Sequence, residues 1–239
     1  MRVPLFYCAE LSLQKTELVL PHSLYRHAIQ VLKMKQGQVM RLFDGKGMVR
    51  EATLITIQKR QASVSLSAAQ DYSIEERLEI VLLQGISKGD RMDFAIQKAV
   101  ELGVTRIVPI VTARCNVALP ANRREKRWQH WQQILIHACE QSGQYLLPIL
   151  EEVMPFEQAI AQYAAGIILS PTATTAFSQL ERPEKMAIAI GPEGGFTNEE
   201  VTFSQQHHYQ LAHLGARILR TETAAIASLA VIQTRWGDS

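Results

Sequence analysis

The run Met186-Ala-Ile-Ala-Ile-Gly-Pro-Glu-Gly-Gly-Phe-Thr-Asn-Glu-Glu200 decides the fold. Its first five residues are apolar without alternation, the pattern of a short strand buried on both faces of a parallel sheet. Gly191, Gly194 and Gly195 then permit backbone angles and close approaches that a Cβ forbids. Thr197 and Glu200 have the T-x-x-E spacing of a capping box, so a helix opens there. The glycines are thus placed between the carboxyl end of a strand and the amino end of a helix, where open α/β sheets bind ligands. The spacing is neither G-x-G-x-x-G nor G-x-x-x-x-G-K-[ST], which argues against dinucleotide and P-loop sites, and Glu193 would sit badly beside a phosphate.

A second turn of similar design lies in Leu211-Ala-His-Leu-Gly-Ala-Arg-Ile-Leu-Arg-Thr-Glu-Thr-Ala224, again strand, Gly215 loop and helix. Two such turns can wall one site; the alternative is that each is only a tight βα connection. Further strand candidates are residues 79–84, 106–110, 166–169 and 211–214, with helical stretches between them, which predicts a parallel sheet with right-handed crossovers. Asp90 is expected to cap a helix whose stripe is Met92, Ile96, Ala99 and Val100 and which Gly103 ends. Upstream the period changes. Residues 39–43, 48–54 and 62–66 read as antiparallel strands separated by turns at 44–47 and 59–61, preceded by one short helix over 21–32. A small barrel is the economical arrangement, because closure removes exposed edges. Polar residues 71–77 read as a linker.

Composition bounds the rest. With 239 residues, 47% hydrophobic and 20% charged, the chain can bury a proper core. No apolar run approaches the roughly 20 residues that span a bilayer, and the amino terminus lacks a signal segment. Cys8, Cys115 and Cys139 are odd in number and far apart, which speaks against disulfides and structural zinc and for a reducing, cytoplasmic setting. Residues 1–70 hold ten Lys and Arg against four Asp and Glu, a balance of +6, which leaves −4 for the remainder of a chain whose net charge is +2. A basic small domain joined to a mildly acidic larger one suggests a polyanion-holding module, although an ordinary solvated surface has the same signature. Arg123, Arg124 and Arg127 are assigned to solvent or RNA, and Trp128 and Trp131 to the core side of a helix. His207, His208 and His213 lack metal-ligand spacing, and Ser142 and Ser228 lack a nucleophile elbow.

GPEGGFTNEE followed by LGARILRTETA resembles the RsmE family of SPOUT-class RNA methyltransferases. The likeness extends over Met1–Tyr7, His27–Lys33, Leu42–Gly45, Lys88–Gly103 and Ala138–Gly143 in family order, essentially the whole chain. It implies methylation of N3 of one uridine in 16S rRNA of the small ribosomal subunit, with S-adenosylmethionine as cofactor and no metal. It further implies a PUA-like β-barrel RNA-binding domain over 1–70, a linker over 71–77 and a SPOUT methyltransferase domain over 78–239. The last would carry a C-terminal trefoil knot formed after Leu214 and buried in a homodimer. The family pattern places Lys33 where Arg is usual and Gln144 where Arg is usual; the first keeps a charge without the guanidinium fork, and the second loses it.

On this resemblance the cofactor is held by Leu169, Ser170, Gly191, Glu193, Gly194, Gly195, Leu214, Gly215, Ile218, Leu219, Arg220, Thr221, Thr223 and Ala224. Candidate RNA contacts are Arg2, Arg26, Lys33, Lys88, Arg91 and Arg114. Methyl transfer to a uridine nitrogen needs the N3 proton removed and the nucleophile set in line with the methyl carbon. Arg220 is the candidate for stabilising charge on a uracil oxygen, and Glu222 or Glu140 for accepting the proton; an Arg220–Glu222 ion pair is the structural alternative. Two other readings are a non-catalytic RNA-binding protein, which needs no small-molecule pocket, and an NAD-dependent enzyme, for which Gln84–Gly89 lacks the fingerprint.

Overall fold

Alternation in the first seventy residues becomes a six-stranded sheet in the computed structural model, which describes residues 3–73, 78–115, 121–182 and 186–237; Arg2 lies outside them. The chain divides into two compact units, Met1–Glu76 with Cys139–Leu147, and Arg77–Ala138 with Pro148–Ser239. The nine-residue excursion into the first unit has no counterpart in the sequence reading, which places a single break at the polar stretch 71–77.

In the first unit, β1 (Leu5–Tyr7), β2 (Glu17–Val19), β3 (Val39–Phe43), β4 (Met48–Ile57) and β5 (Ala62–Leu66) take the order β1-β3-β4-β5-β2, and β6 (Gln70–Asp71) pairs with β4. All pairs are antiparallel except β1 with β3. β1 and β2 terminate the order and are not hydrogen-bonded to each other among the described residues, so the expected closure is not made by backbone pairing. The predicted helix over 21–32 opens as α1 (His22–Tyr25) and continues as a π-helix over Arg26–Val31. Ala28 is buried in the same cluster as Leu24 and Tyr25, and Arg26, Gln30 and Val31 are exposed. Arg50, one of the ten Lys and Arg of residues 1–70, is 5% exposed, and its guanidinium donates to the carbonyls of Ser12, Lys15 and Ser67.

The second unit is built on β7 (Ile80–Gly85), β8 (Arg106–Val111), β9 (Ile149–Leu150), β10 (Met154–Pro155), β11 (Ile167–Leu169), β12 (Met186–Ile190) and β13 (Gln210–Ala212), all parallel in the order β10-β8-β7-β12-β11-β13, with β9 beside β8. β12 is buried along its whole length between β7 and β11, as its unbroken apolar run requires. Ala187 and Ala189 face a cluster with Phe156, Ala159 and Ile160 of α4 (Phe156–Gln162), onto which Phe196 and Phe203 close at 5.3 and 6.5 Å from the Phe156 ring. The alternate residues face the other way, where α6 (Thr221–Trp236) crosses β7 and β12 and packs on α2 (Asp90–Glu101). The α2 stripe is buried as read, and Gly103 ends it at φ +78°. Asp90 is not the cap: Gly89 occupies that position without a side-chain bond, and Asp90 and Asp93 lie in the first turn, where acids favour the helix dipole. Trp131, on α3 (Ala121–Ser142), is a core residue, and the Trp128 indole N–H donates to the Leu150 carbonyl.

Phe156 is fully buried among the rings of α5 (Asn198–Gln206) and the turn before it. Phe156→Ala is expected to cost about 3–5 kcal/mol in urea unfolding of the whole chain; a loss below about 1 kcal/mol would show that α4 is not part of the core holding the turn.

Candidate functional site

The glycine turn after β12 is set by its neighbours before any ligand is considered. Thr197 and Glu200 form the capping box: the Thr197 hydroxyl accepts from the Glu200 N–H, and one Glu200 oxygen accepts from the Thr197 N–H. The other Glu200 oxygen accepts from the Ala113 N–H at 2.8 Å, which ties the start of α5 to the turn after β8. From that turn Arg114 reaches back and donates to the carbonyls of Gly194 and Phe196. A Cβ on Gly194 would lie 2.9 Å from Arg114 Cβ, so the close approach that demands glycine is to this arginine, and Gly195 turns at φ +67°. Arg91 pairs with Glu193 at 2.6 Å, and the Lys88 N–H donates to the same carboxylate. Partial burial raises the Glu193 pKa, but its own and the Lys88 amides and the Arg91 guanidinium outweigh that and hold it below its ordinary value.

The Gly215 loop meets this turn across a cavity of about 730 Å3 at the carboxyl ends of β11, β12 and β13. Beneath it the Gln84 side-chain amide donates to the Thr221 hydroxyl, which donates to the Gly191 carbonyl at 2.6 Å. Arg217, Ile218 and Leu219 line the cavity, and their backbone N–H and carbonyl groups make no hydrogen bond among the described residues. Such unpaired groups are the ones a heterocycle edge can satisfy.

The structure brings together Leu169, Ser170, Gly191, Glu193, Gly194, Gly195, Leu214, Gly215, Ile218, Leu219, Arg220, Thr221 and Ala224 as the sequence reading grouped them. Thr223 is exposed and does not line the cavity. Of the expected RNA contacts, Arg91 and Arg114 are at the cavity and are engaged with the turn itself, Lys88 contributes its backbone, and Arg26 and Lys33 are exposed in the first unit, Lys33 at φ +55°. Arg220 is exposed on the cavity wall and forms no ion pair with Glu222, one of whose oxygens is buried without a partner among the described residues. Glu140 is not at the cavity: it lies in the last turn of α3, within the first unit, and accepts the Tyr7 N–H at 3.0 Å. Sequence reasoning missed Thr172, Asn198, Val201, His213 and Arg217, all on the cavity wall. Arg217 and Asn198 stand inside the two quoted motifs, whereas Thr172, hydrogen-bonded to Ser170 at 2.8 Å, carries no signal beyond a polar residue after a buried strand.

A family model for an RNA methyltransferase domain matches residues 74–233, and one for an RNA methyltransferase PUA domain matches residues 21–67. The ribosomal RNA small subunit methyltransferase E of Buchnera aphidicola subsp. Schizaphis graminum is 33% identical over 244 residues, covering 99% of this chain and 98% of its own length. The chain belongs to the ribosomal RNA small subunit methyltransferase E family. A family structure from Neisseria gonorrhoeae, bound to S-adenosyl methionine, superposes with a TM-score of 0.89 at 38% identity and 99% coverage of both chains. A putative methyltransferase from Legionella pneumophila, also with S-adenosyl methionine, gives 0.94 at 34% identity over 100% of both. The α/β parallel sheet and the PUA domain of the family are therefore present here, and the cavity lies within the matched methyltransferase domain.

The Arg91–Glu193 pair has a definite pH signature. A carboxylate whose pKa is lowered on folding contributes stability above its unfolded value and loses it as pH falls through the folded value. Glu193→Gln is expected to lower stability at pH 7 by under about 1 kcal/mol, since both side chains are partly exposed. The gap should begin to close as pH falls below 4.5, the ordinary value, and vanish below the lowered folded value. Thermal unfolding of both forms at a series of pH values checks this; a gap that widens on acidification would reverse the assignment.

Proposed function

We propose that this chain transfers the methyl group of S-adenosylmethionine to N3 of one uridine in 16S rRNA of the small ribosomal subunit. The observation that carries the reading is the cavity walled by both glycine turns at the strand ends of a methyltransferase-family domain. Its volume of about 730 Å3 falls within the roughly 300–1,000 Å3 of small-molecule sites. The unpaired backbone of Arg217–Leu219 suits an adenine edge, and Gly191, Gly194 and Leu169 border the remaining length. When bound, the cofactor supplies an electrophilic methyl group.

Arg220, exposed on the wall with no partner among the described residues, stabilises negative charge gathering on a uracil oxygen as N3 loses its proton. Glu222, two residues on, does not itself line the cavity; it has a buried, unpartnered carboxylate oxygen and takes that proton through water. Residues 1–70 act as the PUA-like barrel that grips RNA, with Arg2, Arg26 and Lys33 on phosphates, and 78–239 as the catalytic domain.

The segment after Leu214 forms the trefoil knot in this reading. Support comes from the stretch between β11 and β12: the Phe177 N–H donates to the His213 carbonyl, and Arg235 at the far end of α6 donates to the carbonyls of Phe177 and Leu180. The proposal includes a homodimer with the knot at its interface. The apolarity of α6 gives this little support, because Ala225, Leu229 and Ile232 are buried within the chain and no large apolar side chain of α6 is exposed. Among the described residues no helix is long and apolar enough to cross a membrane, and cytoplasmic residence belongs to the same reading.

Calorimetric binding of S-adenosylmethionine, and loss of one methylated uridine from the rRNA of cells lacking the protein, test the whole. Arg220→Ala should lower the single-turnover rate at saturating RNA by about a hundredfold, with normal methylation contradicting its role. Changing Arg2 and Lys33 together to Ala should leave cofactor affinity intact and reduce the slope of log affinity against log salt by about 1.4–1.8, the value of two phosphate contacts; an unchanged slope would remove them from the RNA surface.

A further inference from the structure

The cavity presents an electrostatic difficulty to a cationic ligand. Its charged lining consists of Arg91, Arg114, Arg217 and Arg220 against one carboxylate, Glu193, and that carboxylate is taken up by Arg91 and the Lys88 N–H. A positively charged group bound here must therefore be met by neutral oxygens, and their hydrogens must point elsewhere.

The Gln84–Thr221–Gly191 relay arranges this. Gln84 is fully buried, and its amide nitrogen donates to both the Gly85 carbonyl at 3.1 Å and the Thr221 hydroxyl at 2.9 Å. Rotating the amide by half a turn would set its oxygen against the Gly85 carbonyl, so the orientation is fixed. With one lone pair filled by that N–H, the single Thr221 proton goes to Gly191 O at 2.6 Å. Thr221 and Gly191 are both lining residues of the cavity, and what remains on their two oxygens is acceptor capacity only. The Gln84 carbonyl oxygen is itself buried with no partner among the described residues, an unfavourable arrangement that a leucine would not have. The amide is thus retained for the two bonds its nitrogen makes.

We propose that Gln84 is a positioning residue that turns Thr221 into an obligate acceptor, and that this acceptor-only edge faces the sulfonium of the cofactor and so distinguishes S-adenosylmethionine from its neutral thioether product, S-adenosylhomocysteine. The inference rests on the proposed use of the cavity. Gln84 does not line the cavity; it acts through the hydroxyl.

The test is the ratio of two affinities, measured calorimetrically on the full chain. Gln84→Leu and Thr221→Val are each expected to weaken S-adenosylmethionine by about tenfold, the scale of one hydrogen bond or dipole contact to a charged group, while S-adenosylhomocysteine affinity stays within a few-fold. Thr221→Ser, which keeps the hydroxyl, should restore the wild-type ratio, and it serves together with Thr221→Val if Gln84→Leu does not fold cooperatively. A merely structural role would lower both affinities alike. Equal losses, or an unchanged ratio in Thr221→Val, would overturn the proposal while leaving the cofactor assignment standing. Failure of the wild-type protein to bind either molecule would overturn that assignment and this inference with it.

Discussion

The buried carboxylate of Glu200 is the joint on which the site depends. Burying a charge is unfavourable unless each oxygen finds a donor, and here one takes the Thr197 N–H and the other the Ala113 N–H. That second bond turns a local helix cap into a tertiary link. The turn after β8 is held against the amino end of α5, which puts Arg114 within reach of the Gly194 and Phe196 carbonyls and leaves no room for a side chain on Gly194. The glycine run is therefore shaped by the protein before it meets a ligand, and the cavity is largely pre-formed.

What could be read from the sequence was what one element dictates by itself. The five apolar residues of β12 and the four-residue capping box are local patterns with single physical solutions, and both turn up where expected. The stripe on α2 and the strand at Ile167 to Leu169 follow from the same reasoning. Illegible features all depend on a partner distant in the chain. Nothing near Glu140 signals that it accepts the Tyr7 N–H, and nothing near Arg50 signals that it is enclosed by carbonyls from Ser12, Lys15 and Ser67. The candidate site was legible as two motifs because both walls are contiguous segments. Arg91 and Arg114, read as RNA contacts, also brace the turn, a role that charge type alone does not show because it depends on which acceptors the fold supplies.

The two units differ in how they treat charge. In the second, arginines are spent on shaping the cavity rim, and the partly exposed Arg91–Glu193 pair fixes the turn more than it adds to stability. In the first, Arg26 and Lys33 stay exposed on and just beyond a π-helical turn that buries Ala28 on its inner side.

Arg50 gives the first unit a further property. Its positive charge is balanced inside the protein by carbonyl dipoles at 2.6–2.7 Å, beyond the reach of dissolved ions that screen surface pairs. The Arg50 bonds are thus insensitive to salt concentrations that screen the exposed lysines and arginines of the same unit. On the proposed RNA-gripping role of this unit, release of the RNA and integrity of the fold that held it would be separate variables.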